Sequence, residues 1–329
     1  MSTDDVDDAS LQIINSVVEN TGYSGYGIYS IGKLEILLDG SVIRVPDFGL
    51  IGGSPQASLI IQNGSLVEAG KKALQIGSLK QLFITDSILR GKEAAICVRS
   101  GAAVINMRGG GLESEDGILL ETVMGDDPGM CDAWYIDPHG AEERDPGLDV
   151  TSYDPDNDTL ANLSHMELFG NIYNGTTNLL GDTGPKPEFM PPPPPAEGED
   201  GEAPDFEAFM KMRNGARNLV LNFADVRLTG IISAVITRHY VDKIVKENCR
   251  ELLHLHHTPC AALNNGVIVN LDAYSRWTVT GTSYLTKLTL EDGAIIQGAG
   301  GRPVELFVNG HRTDIRPGTF TGAITLQLA

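Results

Sequence analysis

The feature that most constrains this chain is a unit written several times over its opening third, with a period in the low twenties. Leu11-Gln12-Ile13-Ile14-Asn15-Ser16 leads to Tyr26-Gly27-Ile28-Tyr29-Ser30, and Leu34-Glu35-Ile36-Leu37-Leu38-Asp39-Gly40-Ser41 leads to Phe48-Gly49-Leu50-Ile51. Three further copies begin at Leu59-Ile60-Ile61-Gln62-Asn63-Gly64-Ser65, Leu82-Phe83-Ile84-Thr85-Asp86-Ser87 and Ala103-Val104-Ile105-Asn106-Met107. Each copy reads as a short alternating strand, an Asn, Asp or Gly corner, a second short strand and another small-residue corner. Alternate apolar side chains point to one face of a strand, so copies bury that face only by stacking on one another. Crossover helices do not fit between strands this close, which argues against a doubly wound α/β fold. The 38 glycines and 6% aromatic content agree with many short strands and turns.

The expected fold is therefore all-β: a right-handed single-stranded parallel β-helix, a solenoid, with a long loop insertion and a C-terminal capping hairpin. Residues 1–123 hold the N-terminal repeats, 124–214 an acidic and proline-rich insertion with one repeat near 161–175, and 215–329 the later repeats and cap, in one continuous domain. The repeat near 161–175 rests on Met166-Glu167-Leu168-Phe169-Gly170-Asn171-Ile172-Tyr173, which would divide the insertion into two loops. The stretch from Gly184 to Pro204, with consecutive prolines from Pro191 to Pro195, reads as extended or disordered. It is a tolerated surface loop or a polyproline ligand for a partner's aromatic groove. Asp205 to Arg213 reads as a short amphipathic helix. Val304 to Gly310 and Phe320 to Leu326 read as the closing hairpin.

The phrase Leu271-Asp272-Ala273-Tyr274-Ser275-Arg276-Trp277-Thr278-Val279-Thr280-Gly281, continuing to Leu290, resembles the late repeats of pertactin-like passenger domains and related bacterial adhesin-like β-helix proteins. The resemblance is clearest over residues 215–329. It implies an extracellular or cell-surface protein, adhesin-like or structural, without a set of catalytic residues. Residues 1–329 carry no barrel after the repeats, so self-driven display of the autotransporter kind is not expected. The start, Met1-Ser2-Thr3-Asp4-Asp5, lacks the regions of a secretory signal and suits a cytosolic chain or an exported one already processed.

The formal charge of -20 disfavours nucleic acid and anionic lipid as partners, and no apolar run is long enough to insert in a bilayer. The expected partner is a protein, a glycan or further copies of the chain stacked end to end into filaments. The alternative is a polysaccharide lyase or glycoside hydrolase on the same scaffold. That chemistry needs a base or a pair of carboxylates in one groove. No strand face is seen to repeat acidic residues with Arg or Lys beside them, and no catalytic or cofactor-binding residues are assigned.

Candidate ligands are few. Asp154, Asp156 and Asp158 alternate as in a calcium loop, but Thr159 and His165 stand where an EF-hand needs Gly and Glu, so a solvated acidic turn competes with calcium. Asp126, Asp127 and Asp132 form a second acidic cluster. His254, His256 and Cys260 offer a partial zinc set at a spacing that matches no zinc signature, against a plain polar loop. Trp277, Tyr274 and Tyr284 would make a sugar-stacking platform if exposed, though a Trp between alternating Thr and Val is more often covered. Cys97 reads as a small buried hydrophobe, and Cys249 and Cys260 as a possible pair. Asn15, Asn63, Asn106 and Asn222 fall near corners, where their amides would stack in hydrogen-bonded ladders, a structural and not a functional role.

Overall fold

The computed structural model describes residues 9–22, 25–99, 101–123, 147–175, 216–241 and 246–329. The proline-rich stretch, the 205–213 segment and the cluster Asp126, Asp127 and Asp132 lie outside them. The described residues are all-β, with parallel sheets of many strands in a β-solenoid-like arrangement.

Strands of successive repeats lie side by side in columns. The first column holds β1 (Ala9–Ile14), β4 (Leu34–Asp39), the later halves of β6 (Phe48–Gln62) and β8 (Lys72–Thr85), and β11 (Ala103–Arg108). It continues through the earlier parts of β14 (Thr159–Phe169) and β16 (Leu219–Gly230), then β19 (Val267–Leu271) and β21 (Ser283–Leu290). The parallel register runs Ile13, Leu38, Ile61, Ile84, Met107, Leu163, Phe223, Leu271, Leu290 without a break. The second column comprises β3 (Tyr26–Ile31), the earlier halves of β6 and β8, β10 (Ala94–Arg99), β13 (Ile118–Val123), β15 (Asn171–Gly175) and β17 (Ile232–His239). Its core-facing row is Ile28, Leu50, Leu74, Ile96, Leu120, Ile172 and Ile232.

A separate five-stranded sheet holds β2 (Val17–Glu19), β5 (Val42–Val45), β7 (Leu66–Ala69), β9 (Ile88–Gly91) and β12 (Gly111–Ser114). In the later layers the ends of β14 and β16 pair onward to β20 (Arg276–Val279) and β22 (Ile295–Gly298). Each buried Leu, Ile or Val contributes about 1.5–3 kcal/mol, so the unbroken core rows are the main source of stability.

The corner after the first column explains the recurring Asn, Asp and Gly. Asn15, Asn63, Asp86 and Asp225 sit there at φ 47°, 58°, 47° and 57°, and Gly40 and Gly109 hold equivalent places at 55° and 65°. Short polar side chains tolerate this left-handed backbone better than branched ones. Asn15 and Asn63 are thus corner residues by conformation and do not join an amide ladder with Asn106 and Asn222. Asn63 Nδ2 donates instead to Asp39 at 2.7 Å.

At the C-terminal end the strands turn antiparallel. β18 (Leu255–Pro259) pairs with β17, and β25 (Gly318–Leu328) pairs with both β21 and β23 (Val304–Val308), to which β24 (His311–Thr313) adds. β14 and β15 lie in register between the layers before and after them, so a full repeat separates the two long excursions.

Candidate binding groove

The outward row of the first column runs Gln12, Leu37, Ile60, Phe83, Asn106, Asn162, Asn222, Asn270 and Thr289. Over four layers of this row lies an open groove, lined by Phe83, Thr85, Asn106, Arg108, Asn162, Ser164, Asn222 and Ala224 above the core residues Ile84, Met107, Leu163 and Phe223. In the same strands Val220 and Ile268 are buried although they lie outside the core cluster.

Asn162 donates to Asn106 at 2.9 Å, Asn222 to Asn162 at 2.8 Å and Asn270 to Asn222 at 2.8 Å. An amide has two donor hydrogens and two acceptor sites, so Asn162 and Asn222 each spend one of each along the row and keep one of each for water or a ligand. Sequence reading places Asn106 and Asn222 in such a ladder and misses Asn162 and Asn270. The signal was present: Ile105-Asn106-Met107, Ala161-Asn162-Leu163, Leu221-Asn222-Phe223 and Val269-Asn270-Leu271 repeat one amide between core-facing neighbours. Phe83, 39% exposed, and Ile60, 38% exposed, extend the row with apolar surface.

A second polar cluster is sealed under the segment after β17. Lys72 Nζ lies 2.6 Å from Glu121 Oε1 and 3.4 Å from Glu93, while His257 Nε2 lies 2.7 Å from the other Glu121 oxygen. Thr237 Oγ1 meets His257 Nδ1 at 2.9 Å. Burial by itself would raise the Glu121 carboxyl, but the Lys72 ammonium and the His257 contact overcome it and bring the group down to about 2. Burial also works against the Lys72 charge, and Glu121 beside it more than compensates, so its pKa rises. Burial and the Glu121 charge push the Cys97 thiol well up. Leu253 and Leu255 pack with Phe48, Cys97 and Val123 over this face. The cluster ties the covering segment to the second column through His257 and Thr237.

The sequence-derived candidates fall elsewhere. Asp158 is buried: its carboxylate accepts the Asn218 N–H at 2.6 Å and the Asp154 N–H at 2.8 Å. Asp154 accepts the Asp156 N–H and the Asn157 amide. Asp154, Asp156 and Asp158 thus form a turn and its anchor. His254 pairs with Glu251 at 2.7 Å, and both His254 and His256 lie against the exposed Tyr240 ring. Cys260 is a free thiol. Among the described residues no three or more His, Cys, Asp or Glu side chains are placed to hold a metal ion. Trp277 is fully buried, with Nε1 donating to the Gly230 carbonyl at 3.0 Å, so it belongs to the core and forms no platform with Tyr274 and Tyr284.

A repeating acid and base face does exist, contrary to the sequence reading. Glu19, Arg44, Glu68, Arg90 and Glu113 are in register on the outward side of the five-stranded sheet, joined at 3.1, 3.1, 2.9 and 2.6 Å. Val18-Glu19, Ile43-Arg44, Val67-Glu68, Leu89-Arg90 and Leu112-Glu113 carry it in the sequence as one charge of alternating sign after each core residue. Every carboxylate in it is paired, so it reads as a brace between layers.

Comparison with known proteins finds no matching family model, curated protein or solved structure. No helix among the described residues is long and apolar enough to cross a membrane.

Proposed function

We propose that this chain is a non-enzymatic binding protein on a closed, right-handed single-stranded parallel β-helix, and that the groove over its first column receives an extended polar polymer, a glycan. The observation that carries this is the Asn106, Asn162 and Asn222 row, an evenly repeated set of amides with spare donors and acceptors in an open groove. The resemblance to adhesin-like β-helix proteins gives the setting, extracellular or cell-surface. The hydrolase or lyase alternative is less well supported: the described groove residues include Arg108 but no carboxylate to act as acid or base. End-to-end filaments are also less well supported, because β18 and β25 occupy the C-terminal edges that a following copy would need.

The test is a glycan array probed with the full chain and with Asn162→Ala, each checked for folding by circular dichroism. Binding by the parent chain that weakens in the folded variant is the expected result. Equal binding by both would move the site out of the groove, and release of shortened or unsaturated oligosaccharides would make the chain an enzyme.

A further inference from the structure

We infer, resting on that glycan-binding reading, that the ligand is a neutral, extended, β-linked polysaccharide lying along the first column with one sugar ring per strand layer. Neighbouring strands in a sheet lie about 4.7–4.9 Å apart, and the Asn row repeats at that interval because each amide occupies the same register position in its layer. A ribbon of equatorially linked pyranose rings advances by close to this length per ring, so each ring meets an equivalent amide. An extended peptide advances only about 3.3 Å per residue and falls out of step within two layers.

The chemistry of the row agrees. A sugar hydroxyl both donates and accepts, which is what the spare half of each Asn amide offers. Phe83, in register with Asn106 at one end of the groove and 39% exposed, offers aromatic surface against which the C–H face of a sugar can pack. The charge argues for a neutral ligand. Arg108 is the one charged side chain among the described groove residues, and the chain as a whole carries -20, which repels a polyanion.

The experiment is calorimetric titration of the full chain with linear β-1,4-linked gluco-oligosaccharides of increasing length, alongside uronate oligosaccharides and unstructured peptides. Affinity is expected to rise severalfold with each added ring until the chain spans Phe83 to Asn222, and then to level off. Phe83→Ala, whose side chain is outside the core, is expected to weaken the longest neutral ligand by about tenfold. Equal affinity for short and long oligosaccharides would overturn the one-ring-per-layer assignment, and a preference for uronates would overturn the neutral-ligand assignment, while either result leaves a glycan-binding groove. Failure of every glycan to bind the folded chain, or binding of peptides alone, would overturn the groove reading itself.

Discussion

The early and later layers use the same columns but close the corner after the second column in opposite ways. In the early layers the chain passes from Ile31 to Leu34, or from Arg99 to Ala103, in a few residues. In the later layers it leaves at Val123, Gly175 and His239 and returns only at Thr159, Leu219 and Val267. A short corner satisfies its backbone by stacking on the corner above. A corner interrupted by a long excursion needs side chains for the same task.

The later layers supply those side chains from buried polar residues. Asn174 donates to the carbonyls of Arg217 and Gly266, and Asn265 donates to those of Asn174 and Val235. Asn218 donates to the carbonyls of Asp149 and Ser152 and accepts from Gly266. Thr122 adds a hydrogen bond to Asn174. The early layers put a repeating row of charge outside, in the Glu19 to Glu113 brace, and bury Lys72 where it meets Glu121 at the start of the interrupted region. The contrast teaches that polar groups here track the interruptions of the repeat, and that the same residue types do different physical work in the two regions.

The sharpest way to break this contrast is at Glu121, which lies between Lys72 of the early layers and His257 of the third excursion. Removing one partner of a buried ion pair leaves the other uncompensated, so Glu121→Ala is expected to lower the unfolding free energy by about 3–5 kcal/mol. Urea denaturation measures this. A loss no larger than that of a surface carboxylate would mean that the covering segment does not depend on the cluster.

Asp158 tests the corner by pH. Burial raises its carboxyl to about 6, against the opposing N–H donors of Asn218 and Asp154, from 3.8 when unfolded. Between those values the native chain holds a proton that the unfolded chain has lost. Its contribution therefore favours folding at acid pH and is lost as the pH rises through 6. Glu121 and Asp149, both brought down to about 2, act oppositely: their contribution is present above the ordinary carboxylate range and is lost as the pH falls towards 2. The stability advantage of the parent chain over Asp158→Asn is expected to shrink between pH 4 and 7 by about 1–2 kcal/mol, less than the full shift because solvent screens part of it. Denaturation of both chains across that range measures the gap. A gap that widens would show that the N–H donors outweigh burial.

How much of this the sequence disclosed depends on the distance over which each feature is decided. The core rows were legible, because Leu59, Ile61, Leu82 and Ile84 alternate within their own strands and repeat one layer on. Trp277 was half legible: its Val279 and Thr278 neighbours set its parity, but only the layer containing Gly230 shows that it is enclosed. Asp158 was legible only as a member of an acidic turn, because its nearest neighbours in sequence are Asp154 and Asp156, whereas the partner that buries it is Asn218. Glu121 was not singled out at all, since Lys72 and His257 lie far from it along the chain and in different parts of the repeat. Single-strand periodicity reveals which face a residue takes, and what meets it across layers has to come from the fold.

The smallest effect belongs to the early layers and sharpens the comparison from the other side. Glu68 sits between Arg44 and Arg90, and the Arg90 hydrogen bond holds its carboxyl below the usual range. Both arginines are well exposed, so water and salt screen the pairs. Glu68→Gln keeps the shape and a hydrogen-bonding oxygen while removing the charge, and is expected to cost about 0.2–1 kcal/mol. The cost should fall further in high salt, where the screening length drops to about 3 Å at 1 M. Urea denaturation at low and high salt reads this directly. A salt-independent loss as large as that of Glu121→Ala would mean that the brace carries the stack as the buried cluster does, and would erase the distinction between the two regions.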